Sequence, residues 1–456
     1  MASITFVVPS VLNPGGGELR MGMDAASLSD AFAKAAGERG PDFARRVMEP
    51  DGRTPRHLIN VYVNGKNAKF SGGMGTQLQD GDEVYILPAV AGGGSDSEAE
   101  LTPRDLDRFS RQIMLEEIGY NGQLRLKSAR ICVVGSGGLG NPIAIRLAAM
   151  GVGALRIIDR DVIELTNLHR QVLFDEGDVG QVKVEVAARK LRRIAPGCEI
   201  EPLPLSVSES NAAEAVRGCD VVVDALDSVN ARYALNGACV RLGIPFVTGA
   251  AVGVSGQVFT VMPGSSACYY CVFPDLDEDA MPTCSIEGVH PSILSVVGGI
   301  EVAEAVKVVL GRRPSLSERI LHIDLEEMEF DKTRTFRAPE CPVCGGREAG
   351  ERRAGGMQQR EPPSGGLILE ELCGRNRGRR TFAITPPASF DVDVGAVSDA
   401  AHERGFLVEN QGDLGLSMRT DSLSVSVMKQ GSAVIVGPDD EEGAIKLYNE
   451  LLGLQV

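Results

Sequence analysis

The chain lacks a basic region ahead of an apolar stretch at its start, where Met-Ala-Ser-Ile-Thr-Phe-Val-Val-Pro9 carries no Lys or Arg, so this start does not read as a signal peptide. It also lacks a long charge-free apolar run. The most apolar late stretch, Ile293 to Leu310, is interrupted by Glu301, Glu304 and Lys307 and reads as a buried helix rather than a membrane span. Positive charge is in deficit: 46 Lys and Arg face 62 Asp and Glu, a net −16, which argues against general nucleic-acid binding. Two local basic clusters, Arg189 to Arg193 and Arg375 to Arg380, read as a solvated helix face and a linker. With no secretory cue, the ten cysteines imply a reduced, cytoplasmic setting, where paired cysteines mean metal before disulfide.

What is present is enough for two or three domains in 456 residues. Residues 3–8 read as a strand. Ser27-Leu-Ser-Asp30 reads as a capping box opening a helix to about Gly37. Leu58 to Val63 reads as a strand entering the hairpin turn Asn64-Gly65, with a partner strand through Phe70, and Glu83 to Leu87 as another strand. This makes a small α+β unit, 1–94. Its tail, Pro88-Ala-Val-Ala-Gly92-Gly93-Gly94, has no bulky side chain past Val90, and 95–103 is a polar linker. From Arg130 the pattern changes. Ile131 to Val134, Leu155 to Ile158 and Val221 to Val223 read as buried parallel strands of a doubly wound α/β domain, 104–348. A second linker, 349–366, leads to a small α+β domain, 367–456, with helices at Val397–Arg404 and Glu441–Leu452 and strands at Ser422–Met428 and Ala433–Val436.

Gly135-Ser-Gly137-Gly138-Leu-Gly140 follows an apolar strand and precedes a helix, so its backbone amides can approach phosphate oxygens. Asp159 lies about twenty residues on, where an acid can bind ribose hydroxyls. Alone, this fits a nicotinamide oxidoreductase. Beyond it stand Asp161, Asn167, Arg170 and Gln171, then Lys183, and later Asp227-Ser228. Cations suit a triphosphate, and Asp227 at a strand's C-terminal edge suits Mg²⁺, so ATP is the expected nucleotide. Cys268-x-x-Cys271 and Cys341-x-x-Cys344 suit a closed, structural four-thiolate Zn²⁺ site; a pair of redox motifs is the alternative. Cys132, Cys219 and Cys239 read as core packing, and Cys373 as linker.

Residues 104–348 resemble the MoeB/ThiF family, relatives of ubiquitin-activating enzymes. The resemblance rests on Arg108-Phe-Ser-Arg111-Gln-Ile, the glycine loop, Asp159-Arg-Asp161, Asn167-Leu-His-Arg170-Gln, Gly180-Gln-Val-Lys183, Asp224-Ala-Leu-Asp227-Ser, Gly249-Ala-Ala and both cysteine pairs. It implies a Rossmann-like activating domain with Gly138 at the phosphates and Asp159 at the ribose. Asn167, Arg170 and Lys183 would touch ATP phosphates, and Asp227 would hold Mg²⁺. Arg111 would reach a partner subunit's site, implying a homodimer. Leu226-Asp227-Ser228 stands where the family has Thr-Asp-Asn; the acid is kept. Cys284, in Thr-Cys-Ser-Ile-Glu-Gly-Val, matches a loop cysteine that can form a thioester or persulfide in relatives, although an ordinary buried thiol is the alternative.

Residues 1–93 resemble a small ubiquitin-type sulfur carrier, through Asn60-Val-Tyr-Val-Asn-Gly, Phe70-Ser-Gly-Gly, Asp80-Gly-Asp-Glu-Val and Ile86 to Gly93, which implies a β-grasp fold. The implied function is adenylation of a carrier's C-terminal glycine for thiocarboxylate formation, with a separate sulfur donor, serving cysteine, molybdopterin or thiazole synthesis. The tail of this carrier is bonded onward at Gly94-Ser95, so activation of it requires a cut after Gly93 or Gly94, by a processing metallopeptidase; the Ala-Val-Ala-Gly-Gly ending of the carriers it resembles favours Gly93–Gly94. A permanently fused, regulatory carrier is the competing expectation. No nucleic-acid or membrane partner is expected.

Overall fold

The computed structural model describes residues 1–9, 12–13, 15, 17–51, 54–56, 59–88, 101–276, 287–345, 367–371, 379–387 and 390–454. They form two compact units, Met1–Ser128 and Ala129–Val456.

The first unit runs β1 (Ala2–Val8), β2 (Leu19–Ala25), α1 (Leu28–Arg39), α2 (Pro41–Val47), β3 (Ile59–Val63), β4 (Lys66–Asn67), β5 (Glu83–Pro88), α3 (Pro103–Ile113) and α4 (Gly119–Ser128). The sheet order is β2-β1-β5-β3-β4, with β1 and β5 parallel and the other pairs antiparallel, a β-grasp arrangement. Side chains alternate across a strand. Ile4, Phe6 and Val8 therefore point to one face and bury against Leu28, Ala31, Phe32 and Ala35 of α1. Val7 points to the other face and joins Tyr62, Tyr85 and Leu87, which are covered by Leu101, Leu106, Phe109, Ile113 and Tyr120. Tyr62 also donates its hydroxyl to Asp107 Oδ1 at 2.9 Å. Both faces of this small sheet are thus apolar and covered.

Local chemistry explains the ends of these elements. Ser27 Oγ accepts the Asp30 amide, while Asp30 accepts from Ala26 rather than from Ser27 itself. Asn64 and Gly65 sit at φ 47° and 74°, as a tight two-residue hairpin requires. The expected partner strand through Phe70 is shorter. After Asn67 the chain turns into a 3-10 segment, Ala68–Phe70, because the Asn67 side chain caps the Lys69 amide at 3.0 Å.

The second unit begins with β6 (Arg130–Val134), α5 (Gly140–Ala149), β7 (Ala154–Ile158), α6 (Lys183–Ile194), β8 (Glu199–Leu203), α7 (Ala212–Val216), β9 (Val221–Asp224) and α8 (Val229–Leu242). It continues through β10 (Phe246–Val252), β11 (Ser255–Val261), α9 (Tyr269–Val272), α10 (Pro291–Val309), β12 (Arg319–Asp324) and β13 (Glu329–Arg334). The sheet order is β13-β12-β11-β10-β9-β6-β7-β8. Strands β8, β7, β6, β9 and β10 are parallel and Rossmann-like, whereas β10 to β13 form an antiparallel meander. The sheet is therefore mixed, beyond the doubly wound pattern read from the sequence. Strand β6 lies between β7 and β9, so the strand order reverses there. In open α/β sheets ligands bind at that switch point.

The same unit holds β14 (Ile368–Glu371), β15 (Thr381–Thr385), α11 (Val394–Glu403), β16 (Leu407–Gln411), β17 (Gly415–Arg419), β18 (Ser424–Met428), β19 (Ala433–Val436) and α12 (Glu441–Leu452). Its strands form an antiparallel sheet in the order β14-β15-β19-β18-β17-β16. Val397, Ala401, Ala444, Tyr448 and Leu451 of the two helices bury against Phe382, Ile384, Met418, Val425 and Ile435. Among the described residues, no helix is long and apolar enough to cross a membrane.

Candidate nucleotide site and thiolate cluster

The loop leaving β6 can only be built from glycine at its tight points. Gly135 sits at φ 100°, and a side chain there would strike the Ala225 carbonyl. A side chain on Gly140 would strike the Gly135 carbonyl, which closes the turn into α5. At Gly138 a Cβ would come within 2.8 Å of Leu294 Cδ1 and 3.6 Å of Arg170 Cδ, and at Gly137 within 3.7 Å of Gln171 Nε2. The loop thus lies against Arg170 and Gln171.

Asp159, just past β7, ties this loop down. Its carboxylate accepts the Ser136 amide at 2.6 Å and the Asp161 amide at 2.7 Å. Removal from water pushes this carboxyl above its usual range; Lys183 opposes the shift and Asp161 adds to it. Lys183 is buried at the start of α6. Its Nζ pairs with Asp161 Oδ2 at 3.0 Å, and its amide donates to the Asp161 carbonyl at 3.0 Å. A buried charge needs such a partner. Asn167 Oδ1 accepts the Glu164 amide at 3.1 Å, so one of its side-chain groups caps a local turn. Arg170 Nη1 donates to the Thr166 carbonyl at 2.9 Å. Gln171 is 3% exposed, and its Oε1 has no hydrogen-bond partner.

On the far side of β6, Asp227 is exposed on the turn after β9, and Ser228 Oγ caps α8 by accepting the Ala231 amide. That turn is held from below by a fully buried acid, Asp224. Its carboxylate accepts the Leu226 amide at 2.9 Å and the Thr248 hydroxyl at 2.6 Å, and pairs with Arg232 Nε at 2.9 Å. Arg232 in turn donates to the carbonyls of Leu226 and Gly249. Burial pushes the Asp224 carboxyl up, and Arg232 is the main group drawing it back. Asp224 and Gly249 stood in the stretches quoted from the sequence, but Arg232 and Thr248, which complete this network, were not singled out there. Nor was Asn141, wholly buried, which donates to Ser136 O and accepts the Leu173 amide, both at 2.8 Å. The Asn that follows Gly140 was the available signal.

Arg111 lies on α3 in the first unit, exposed, with its Cγ 3.3 Å from where a Gly65 side chain would begin. Cys284 and the tail Gly92, Gly93 and Gly94 lie outside the described residues.

The four paired cysteines converge, with all sulfurs within 4.8 Å of one another. Cys268 and Cys341 are 3.6 Å apart, Cys271 and Cys344 3.4 Å, and Cys268 and Cys271 3.8 Å. A tetrahedron of sulfurs around zinc has edges of about 3.8 Å. The Ala338 amide donates to Cys271 Sγ and the Val343 amide to Cys341 Sγ, both at 3.4 Å, which favours thiolates. Hydrogen bonding from Cys268 pulls the Cys344 thiol down to about 5.

Residues 109–343 match the ThiF family and residues 19–93 the ThiS family. The SAMP-activating enzyme E1 of Haloferax volcanii is 44% identical over 246 residues, 54% of this chain and 91% of that protein. The sulfur carrier protein adenylyltransferase of Thermus thermophilus is 42% identical over 250 residues, 54% of this chain and 92% of that protein. The adenylyltransferase and sulfurtransferase MOCS3 of Aedes aegypti is 40% identical over 248 residues, 54% of this chain and 56% of that protein. With a glycine loop at the switch point and a family match across more than half its length, the chain belongs to the ThiF family, joined to an N-terminal ThiS-type domain.

Proposed function

We propose that the chain is an ATP-dependent adenylyltransferase acting on the C-terminal glycine of a ubiquitin-like sulfur carrier. The observation that carries this is the ring of contacts from the glycine loop through Asp159 and Asp161 to the buried Lys183, built where the strand order reverses. The names of the relatives point the same way. A nucleotide fits the residues. Gly135, Gly138 and Gly140 leave no room for side chains, and the orphaned Gln171 Oε1 suits a ligand that brings its own donors, as adenine and ribose do.

In this reading Gly135, Gly137, Gly138 and Gly140 admit the phosphates, and Asp159 and Asp161 order the loop and ribose. Asn167, Arg170 and Lys183 line the polyphosphate, Gln171 is assigned to the nucleotide without a phosphate contact, and Ser228 stands beside Asp227. Asp227, exposed at the strand edge, would hold Mg²⁺, which when bound neutralises phosphate charge. The carrier carboxylate attacks the α-phosphorus, the bond to pyrophosphate breaks, and an acyl-adenylate forms. Arg170 and Lys183 stabilise charge on the phosphoryl oxygens, and positioning supplies much of the rest. A sulfur donor then displaces AMP, and Cys284 is the thiol proposed to relay sulfur or carrier. Arg111 is assigned to a partner subunit's site in a homodimer. Cys268, Cys271, Cys341 and Cys344 fit a structural zinc. We assign 1–94 to the carrier, 104–348 to the activating domain and 367–456 to a C-terminal α+β domain, with linkers between. The fused carrier becomes a substrate only after metallopeptidase cleavage at Gly93–Gly94.

Carrier-dependent ATP–pyrophosphate exchange tests the reading. Exchange that rises with an added carrier ending in Gly-Gly is expected, together with a carrier adenylate by mass spectrometry. Nicotinamide binding without exchange would overturn it.

A further inference from the structure

The segment that delivers Lys183 is held from two sides. On one side, Lys183 is fixed to Asp161 through both its amide and its Nζ, and the Gly180 amide donates to the Ile163 carbonyl at 2.8 Å. On the other side lies the C-terminal sheet. Asn410 Nδ2, on β16, donates to the Val179 carbonyl at 3.0 Å. Ser417 Oγ, on β17, donates to the Gly180 carbonyl at 2.7 Å. Glu185, in the first turn of α6, reaches back and accepts the amides of Asp413 and Leu414, in the turn joining β16 to β17, both at 3.1 Å.

Glycine makes this approach feasible from both partners. Gly180 sits at φ 85°, and a side chain there would strike Asn410. A side chain on Gly412 would strike the Glu185 carboxylate, and one on Gly415 would lie 3.0 Å from Val182 Cγ2. Four hydrogen bonds and three close approaches thus fall on residues 179–185, the stretch that ends with Lys183 and the first turn of its helix.

We propose that the C-terminal sheet is a positioning element for the nucleotide site. The β16–β17 turn fixes the register of α6 and so the reach of Lys183, with Glu185, Asn410 and Ser417 as positioning residues. This inference rests on Lys183 being a phosphate-binding group. A charge offset by a fraction of an ångström from its phosphate loses part of its interaction with bound ATP, in the ground state as well as in the transition state, so a distant contact that sets its position acts on the KM for ATP rather than on that for carrier.

The test uses the full-length chain with Glu185→Ala, Glu185→Gln and Ser417→Ala, assayed by carrier-dependent pyrophosphate exchange and by thermal melting. Glu185→Ala is expected to raise the KM for ATP about fivefold or more while the KM for carrier stays at the wild-type value. Glu185→Gln, which keeps one acceptor oxygen, is expected to fall between. Ser417→Ala lies on the opposing sheet and decides the matter should Glu185→Ala fail to fold. A KM for ATP equal to wild type in the folded variants, with or without a lower melting temperature, overturns the inference and leaves the ATP reading standing. A wild-type protein that neither binds ATP nor exchanges overturns both.

Discussion

Two aspartates three positions apart show how environment separates roles. Asp224 is fully buried and paired, and Asp227 is exposed with its turn as its platform. Asp227→Ala is expected to lower carrier-dependent exchange by about a hundredfold or more, the scale of losing a group that neutralises phosphoryl charge, with an unchanged melting curve. Asp224→Ala should do the opposite first. It strands the Arg232 guanidinium in the interior, at a cost of about 3–5 kcal/mol, read by chemical denaturation. Equal stability in the two variants would contradict this division. The glycine loop, Asp159, Lys183 and the cysteine pairs were legible in the sequence because each needs a particular residue type at a particular spacing. Arg232, Thr248 and Asn141 were not. Their partners stand 8, 24 and 32 residues away, and only the folded sheet brings them together.

At the scale of elements, strands with continuous apolar runs and helices with marked caps were readable. Strand β13 was not, because Glu329-Phe-Asp-Lys-Thr-Arg334 is an exposed edge with no alternating apolar face. Strand β2 did carry a signal, the alternation of Leu19, Met21, Met23 and Ala25 with Arg20, Gly22 and Asp24, and its apolar face packs on the core. Helix α2 did carry a signal, Pro41 at its first position. The cysteine cluster joins elements far apart in the chain, since Cys268 precedes α9 and Cys341 follows β13. Cys268→Ser is therefore expected to release zinc and lower the melting temperature of the activating domain, because a closed thiolate site contributes folding free energy. A variant with wild-type stability and one zinc per chain, by elemental analysis, would remove the cluster from that role. In the first unit, Leu106 of α3 is wholly buried against the carrier sheet. Leu106→Ala should cost about 2–5 kcal/mol, measured as a shift in the denaturation midpoint of that unit.

At the scale of the whole molecule, the proposed use of the N-terminal domain as a carrier turns on its tail, since a glycine held in an amide has no carboxylate to adenylate. Yet Leu101, α3 and α4, which follow the tail in the chain, supply the cover for the second apolar face of the N-terminal sheet: Val7, Tyr62, Tyr85 and Leu87 lie under Leu101, Leu106, Phe109, Ile113 and Tyr120. Hydrolysis of one peptide bond between them would therefore divide the polypeptide without dissolving this seam. The product would be a nicked particle, two chains migrating as one, with the smaller chain presenting a free terminus while its body stays moored. Such a nicked protein is expected to run as one peak in native size exclusion and as two masses after denaturation, and Phe109→Ala should let the small chain escape. Immediate separation of the nicked wild type would show that the seam does not outlast the bond. If it does outlast it, proteolysis acts here as a switch for a terminus rather than as a release of cargo.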